Sequence, residues 1–419
     1  MLSEKSWVSG FGAFFVYFLI FLIFYHQYIF VNLEEALGVE IFLKAWKELL
    51  VFILLPVVFY AFSLRGWPRD RAASTFILML FWLFSVFASS RGSLFEDFLS
   101  FKAFSTPLLL ASVLYFINLY SLNMHRHYVN AFCLVSLLFS FYACYQYLAF
   151  TVPEDFWYYN IFIARGHEQN FWEFFRGDRP RLSSFFTSSL EFALTLTFCY
   201  AIFFSMFMGT VGVRRLLWGG VVSFLLLVIT ISSVRSALVL IIVGHMCVFF
   251  FSYVRPVMRK FWMFAFVAFL VLATFWAIKT GVIADLSSAG RLRQWEEFFS
   301  LVAASPLGEG ASSVGVGRLY WFDSFYINLF LSIGLILGVV YLLFMFSPAF
   351  YLISLYKGEA YRRASLHTRA LSYGVVFYTP GLLYSFVFQS FFNAVAIYIY
   401  TMVSFSVCFY FKKNGASDK

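Results

Sequence analysis

Seven arginines and no lysine occupy two polar stretches of a chain that is otherwise close to continuous hydrocarbon. Arg165, Arg176, Arg179 and Arg181 lie between Thr151 and Leu182, and Arg291, Arg293 and Arg318 lie between Thr280 and Asp323. Arginine carries a planar fork of donors that meets phosphate oxygens two at a time and keeps its charge, whereas lysine is a hydrated point charge. A set built from arginine alone is therefore better suited to holding a diphosphate than to attracting anions in general. The competing expectation is internal. The same stretches contain Glu154, Asp155, Glu168, Glu173, Asp178, Glu296 and Glu297, and pairing with these carboxylates would order the loops without any ligand.

The elements that must position these side chains are membrane helices. The 419 residues are 62% apolar and 12% charged, with a mean hydropathy of +0.83; soluble chains carry about 25% charged residues. Apolar runs of roughly 20 residues recur, each enough to cross the hydrocarbon as a helix, and they lack the alternation of barrel strands. The expected fold is an all-α polytopic membrane protein, one transmembrane domain over 1–419, with about twelve spans and two long outer loops at about 151–182 and 280–323. Lys5 precedes a run too long for a cleaved signal, and Arg65, Arg69 and Arg71 mark a cytoplasmic turn, so both termini are expected inside. Runs at about 48–64, 73–89 and 98–122 follow the first. After the His125-Arg126-His127 segment, expected as a solvated turn, come runs at about 129–150 and 183–208. A hairpin with Arg235 at its outer tip follows, then runs at about 261–279, from Phe325 onward, 370–389 and 393–411.

The remaining composition argues against other chemistry. The five cysteines fall in apolar runs and the 61 phenylalanines fill lipid-facing and core positions. No disulfide, metal or cofactor is expected. The formal charge of +9 belongs to loops beside a membrane, so nucleic acid is not an expected partner. Ionisable groups inside the runs are few, chiefly Lys102, Glu191 and His245, with Lys279 near an end. A proton-coupled carrier would place more carboxylates near mid-membrane. The site is therefore expected at the outer interface.

Three elements then resemble a known family. Gly290-Arg291-Leu292-Arg293-Gln294-Trp295, Ser305-Pro306-Leu307-Gly308-Glu309-Gly310, and Asp323-Ser324 followed by Gly334 and Gly338 are similar to the signature run of the O-antigen polymerase and ligase superfamily. The segment from Arg181 to Ala193 resembles that family's entry to a span, with Ser184 where the family has glycine. Ser232 to Ala237 resembles its Ser-Arg-Gly-Ala turn, with Ser236 for the glycine. Asp323 stands where ligases usually carry histidine, which favours a polymerase of the Wzy type.

The resemblance implies a GT-C-like architecture in the bacterial inner membrane. It also implies glycosyl transfer at the periplasmic face from an undecaprenyl-diphosphate-linked oligosaccharide, without metal or nucleotide. The partners are that lipid-linked glycan and membrane lipid, with a chain-length regulator as a further candidate. By matched position, Arg181 and Arg291 are the expected diphosphate holders, with Arg235 and Arg293 next. Asp323 is the expected base, with His167, Glu168 and Glu309 as alternatives. Two positions have a purely structural alternative: Asp323 as the N-cap of the tenth span, and Gly334 and Gly338 as close helix packing. A ligase and a lipid-linked oligosaccharide flippase are the rival functions.

Overall fold

A computed structural model of the chain describes residues 13–14, 16–29, 32, 124–160, 174–176, 178–281, 286–310, 322–388 and 395–416. Its helices are α1 (Val16–Ile29), α2 (Met124–Ala149), α3 (Ser189–Gly209), α4 (Gly212–Ile231), α5 (Arg235–Phe251), α6 (Pro256–Lys279), α7 (Leu286–Ala304), α8 (Phe325–Ile333), α9 (Leu335–Leu355), α10 (Glu359–Arg363), α11 (Leu366–Phe388) and α12 (Val395–Ala416). Two short strands, β1 (Phe175–Arg176) and β2 (Arg179–Pro180), form an antiparallel hairpin that pairs Arg176 with Arg179. Seven of the described helices, α2, α3, α4, α6, α9, α11 and α12, are long and apolar enough to cross a membrane, while α1 and α5 are shorter apolar helices. The chain is an α-helical membrane protein. The described parts of the apolar runs expected outside about 48–122 are largely helical, and that interval lies outside the described residues.

Helix α11 is the centre of the bundle. Its apolar window is 94% buried, against 11% for α6, and it packs against α3, α5, α6, α9 and α12. Small residues allow that closeness. A Cβ on Gly374 would meet Ile202 of α3, one on Gly381 would meet Leu240 of α5, and one on Gly244 would meet the Phe377 ring. In hydrocarbon, where helices gain little from hiding apolar surface, such backbone approach is what dispersion contacts require.

Polar contacts divide the bundle into two ends. At one, Glu191 at the start of α3 accepts from Gln27 of α1 at 2.7 Å and from the Val395 amide of α12 at 2.5 Å, supplying an acceptor to the first turn of α12. The loops after α2, α4 and α6 open on this side, and it is called the arginine end below. At the opposite end, His125 Nδ1 lies 2.9 Å from the Thr368 hydroxyl of α11, and its Nε2 lies 3.3 Å from Ser406 of α12. His125 is therefore not in a solvated turn. It is buried in the first turn of α2, where it ties three helices together, because a ring with two polar atoms can bridge two hydroxyls.

Two further expectations change. The stretch 280–323 is not loop throughout, since α7 occupies 19 of its residues. The tenth span does not run on unbroken from Phe325: it stops at Gly334, with φ +81°, and resumes as α9. The break is filled by the Pro306–Glu309 segment. The Leu335 amide donates to the Pro306 carbonyl at 3.1 Å and the Glu309 amide donates to the Leu331 carbonyl at 2.6 Å, replacing the Leu331–Leu335 bond a continuous helix would have. Gly334 and Gly308 lie backbone to backbone there, a Cβ on either meeting main-chain atoms within 2.6 Å. Gly334 thus serves a helix break and not small-residue helix packing, whereas Gly338 does pack closely, against the Phe330 ring.

Gly334→Ala should therefore unfold the α8–α9 corner, lowering stability by about 1–3 kcal/mol from left-handed strain alone. Gly220→Ala, inside α4 with nothing within 4 Å, should not lower it. Thermal unfolding in detergent measures both, and equal midpoints for the two variants would contradict the interlock.

Candidate functional site

The site at the arginine end is assembled on the carbonyl terminus of α11. The last four carbonyls of a helix have no partner within it, and inside a membrane each such group must find one. Trp295 of α7 donates its indole N–H to the Val387 carbonyl at 2.9 Å, and Ser324 donates its hydroxyl to the Phe386 carbonyl at 2.9 Å. Tyr326 adds a bond to the Leu383 carbonyl at 3.0 Å. Arg291 lies one turn before Trp295 on the same helical face, and Asp323 directly precedes Ser324. Anchoring the neighbours on adjacent carbonyls brings the two charged residues together, with Arg291 Nε 3.7 Å from Asp323 Oδ2.

Asp323 is held by its backbone and leaves its carboxylate uncommitted to capping. Its amide donates to Gln294 Oε1 at 3.0 Å. The preceding Phe322 is gripped at both polar groups by buried Asn328, whose Nδ2 donates to the Phe322 carbonyl at 2.6 Å while its Oδ1 accepts from the Phe322 amide at 3.3 Å. The N-cap of α8 is Ser324, whose hydroxyl accepts from the Ile327 amide. The structural alternative for Asp323 therefore falls to its neighbour. The carboxylate instead lies just outside the positive N-terminus of α8, a placement favourable for an anion.

Beneath the pair the surface is apolar. Phe298, Phe322, Ile327 and Leu331 form a small core under α7, with Trp295 and Phe330 against it. An apolar cavity of about 340 Å³ runs from Trp295 and Tyr326 down between α6, α8 and α9 to Phe346 and Phe350. Charged groups and hydrocarbon groove thus meet at one place.

The other expected residues are distributed around the same end. Arg181 is half-buried, and its amide donates to the Phe174 carbonyl at 2.7 Å, closing the chain over the aromatic cluster of Phe150, Phe156, Tyr158 and Phe174. Ser184, three residues on, holds a left-handed φ of +52°, the conformation glycine adopts freely. Its amide donates to Gln146 Oε1 at 2.8 Å and its hydroxyl to the Phe139 carbonyl at 2.9 Å, bonds that hold the backbone there. Arg235 is exposed at the first position of α5, behind Ser233 at φ +60°. Arg179 is exposed on the hairpin, and Arg293 is exposed on the far side of α7 from Arg291. Glu309 enters the site's framework through its amide in the helix break. Arg165, His167, Glu168 and Arg318 lie outside the described residues, and of Arg176 only the backbone is described. Asp155, a candidate partner for the arginines, is occupied by its own turn: the amides of Val152 and Thr151 hold its carboxyl below the usual range.

Sequence reasoning missed Gln294, Asn328 and the anchoring role of Trp295. The first two are polar residues at helical spacing from charged or capping positions, and that spacing is the signal that was available. Among the described residues no cluster of His, Cys, Asp and Glu suited to a metal is present. The fold and site define an α-helical membrane protein with a charged, arginine-bearing head above an apolar groove. The chain matches no model of a known protein family and no curated protein.

The pair and its support should differ sharply in energetic weight. Arg291 and Asp323 are 30% and 46% exposed, so each should cost under about 1 kcal/mol of stability on replacement by alanine. Asn328→Ala removes both of its hydrogen bonds to the buried Phe322 backbone and should cost about 1–3 kcal/mol. Unfolding midpoints compared across the three variants test this, and a large loss in Arg291→Ala would make the pair structural.

Proposed function

We propose that the protein is a polysaccharide polymerase of the O-antigen type, transferring a glycan from undecaprenyl diphosphate to the end of an incoming lipid-linked repeat unit at the periplasmic face of a bacterial inner membrane. The observation that carries the reading is the approach of Arg291 to Asp323 at the head of an apolar groove. A substrate that is a diphosphate between a glycan and a polyprenyl chain needs all three surfaces: cations, a proton acceptor and hydrocarbon.

In this reading the acceptor hydroxyl attacks the anomeric carbon of the donor. The bond from that carbon to the diphosphate oxygen breaks, and its electron pair leaves with the lipid diphosphate. Asp323 takes the hydroxyl proton. Arg291 contacts Asp323 through Nε, so the outer Nη edge of its fork remains for phosphate oxygens, where two charge-assisted bonds can form side by side. Arg181 supplies a second cation, and Arg235 and Arg293 enlarge the positive surface that receives the leaving group. Such cations stabilise charge as it develops on the departing diphosphate, the moment at which stabilisation accelerates the reaction.

Purified protein given a synthetic undecaprenyl-diphosphate repeat unit should produce a ladder of polymer lengths on a gel. Arg291→Ala and Arg181→Ala should abolish the ladder with the protein still in the membrane, and Arg291→Lys should not restore it, because the two-point contact is lost. Asp323→Asn should slow polymerisation by roughly 10²–10⁴-fold, the usual weight of general base catalysis. Normal polymer from both alanine variants would overturn the reading. Glycan accumulating on its lipid carrier in a deletion strain would identify a ligase, and lipid transport without bond formation a flippase.

A further inference from the structure

The opposite end of the bundle holds a second charged cavity that the proposed transfer does not use. The last turns of α3 and α5, the turn after α9 and the start of α11 border an open cavity of about 370 Å³. Two cations line it, Lys357 and Arg369, together with the hydroxyl-bearing Ser205, Ser252 and Tyr361. On the outer wall stand Met208 and Phe249, which are 61% and 66% exposed on the lipid side of the bundle. One cavity therefore joins exposed Lys357, half-buried Arg369 and several hydroxyls to a hydrocarbon rim.

Lysine at position 357 is held against its backbone preference. Tyr356 is the C-cap of α9, and Lys357 follows it with φ +58°, the left-handed position where helices usually place glycine. The chain's own glycine comes one residue later, at Gly358, with an ordinary φ of −71°. The strained lysine reaches Ser252 across the cavity, Nζ donating to Oγ at 2.7 Å. A lysine retained at a left-handed position points to the side chain and not to the turn.

Among the described residues no carboxylate pairs with Lys357 or Arg369. Arg369 Nε is buried with no hydrogen-bond partner among the described residues. The acid described at this end, Glu359, pairs with Arg363 along α10. Nearby Arg259 is engaged elsewhere, donating to the carbonyls of Val254, Ile353 and Tyr356 and so closing the last turn of α9. A buried guanidinium nitrogen without a partner is costly in an apolar setting, and an anionic oxygen would satisfy it together with Lys357.

We propose that this cavity binds the phosphate of an anionic phospholipid headgroup, with Lys357 and Arg369 on the phosphate, the hydroxyls on the glycerol portion and an acyl chain along Met208 and Phe249. Basic pockets between helices at the membrane surface recognise headgroups through this combination of charge and depth. The site lies at the end of the bundle away from Arg291 and Asp323 and stands independently of the polymerase reading.

The test uses the full chain in detergent, titrated with dioleoyl phosphatidylglycerol, with dioleoyl phosphatidylcholine or with inorganic phosphate. The unfolding midpoint is read alongside the lipid retained in native mass spectrometry. Phosphatidylglycerol should raise the midpoint and remain bound to the wild type. Its affinity should fall about fivefold or more in Lys357→Gly and in Arg369→Gln, as expected for one lost cation at a headgroup. Lys357→Gly should fold well, since glycine takes the left-handed backbone freely, and it decides the matter if Arg369→Gln fails to fold. Equal phosphatidylglycerol binding by wild type and Lys357→Gly would overturn the proposal, as would equal protection by phosphatidylcholine. Protection by inorganic phosphate alone, lost in Lys357→Gly, would assign the cavity to a free phosphate and overturn the headgroup reading.

Discussion

The carbonyl terminus of α11 is the constraint on which the arginine end depends. α11 is buried on nearly every side, so its last carbonyls cannot turn to water. They must be met by side chains from whatever packs over them. Trp295 and Ser324 meet them, and in doing so fix the rotation of α7 and the starting point of α8. The pairing of Arg291 with Asp323 follows from those two anchors, since each charged residue is a near neighbour of one of them. A modest ion pair, partly open to solvent, is thereby held in place by bonds that are individually much harder to lose.

A second interlock keeps that arrangement rigid. A helix interrupted in the membrane leaves a carbonyl and an amide unpaired, each a cost of several kcal/mol in hydrocarbon. At Gly334 the segment from Pro306 to Glu309 takes up both. The descending helix, the segment before it and α7 are consequently one unit, and the apolar groove below them has fixed walls. The opposite end is organised differently. There Arg259 closes α9 with its guanidinium and His125 joins three helices, while two other cations, Lys357 and Arg369, line a cavity.

Several residues show how far sequence patterns reach. Arg291 and Asp323 stand out in the sequence because charged residues are rare in such a chain. His125 was not legible: a histidine flanked by charge at a helix start reads as solvated, and only the packing of α11 and α12 against it reverses that. Gly334 was misleading for a similar reason. Two glycines four apart in an apolar run match close helix packing, and nothing local reveals that a loop from about 25 residues earlier is inserted between them and the preceding turn.

The order of residues alone makes the chain a helical membrane protein and locates the two stretches that carry the arginines. Those are consequences of hydropathy and charge, properties each residue brings whatever its neighbours. Packing between distant segments settles that Arg291 meets Asp323, that Ser324 and not Asp323 caps α8, and that the apolar run from Phe325 is broken at Gly334. Each of these depends on where an unpaired backbone group finds its partner, and that partner is contributed by a segment distant in the chain.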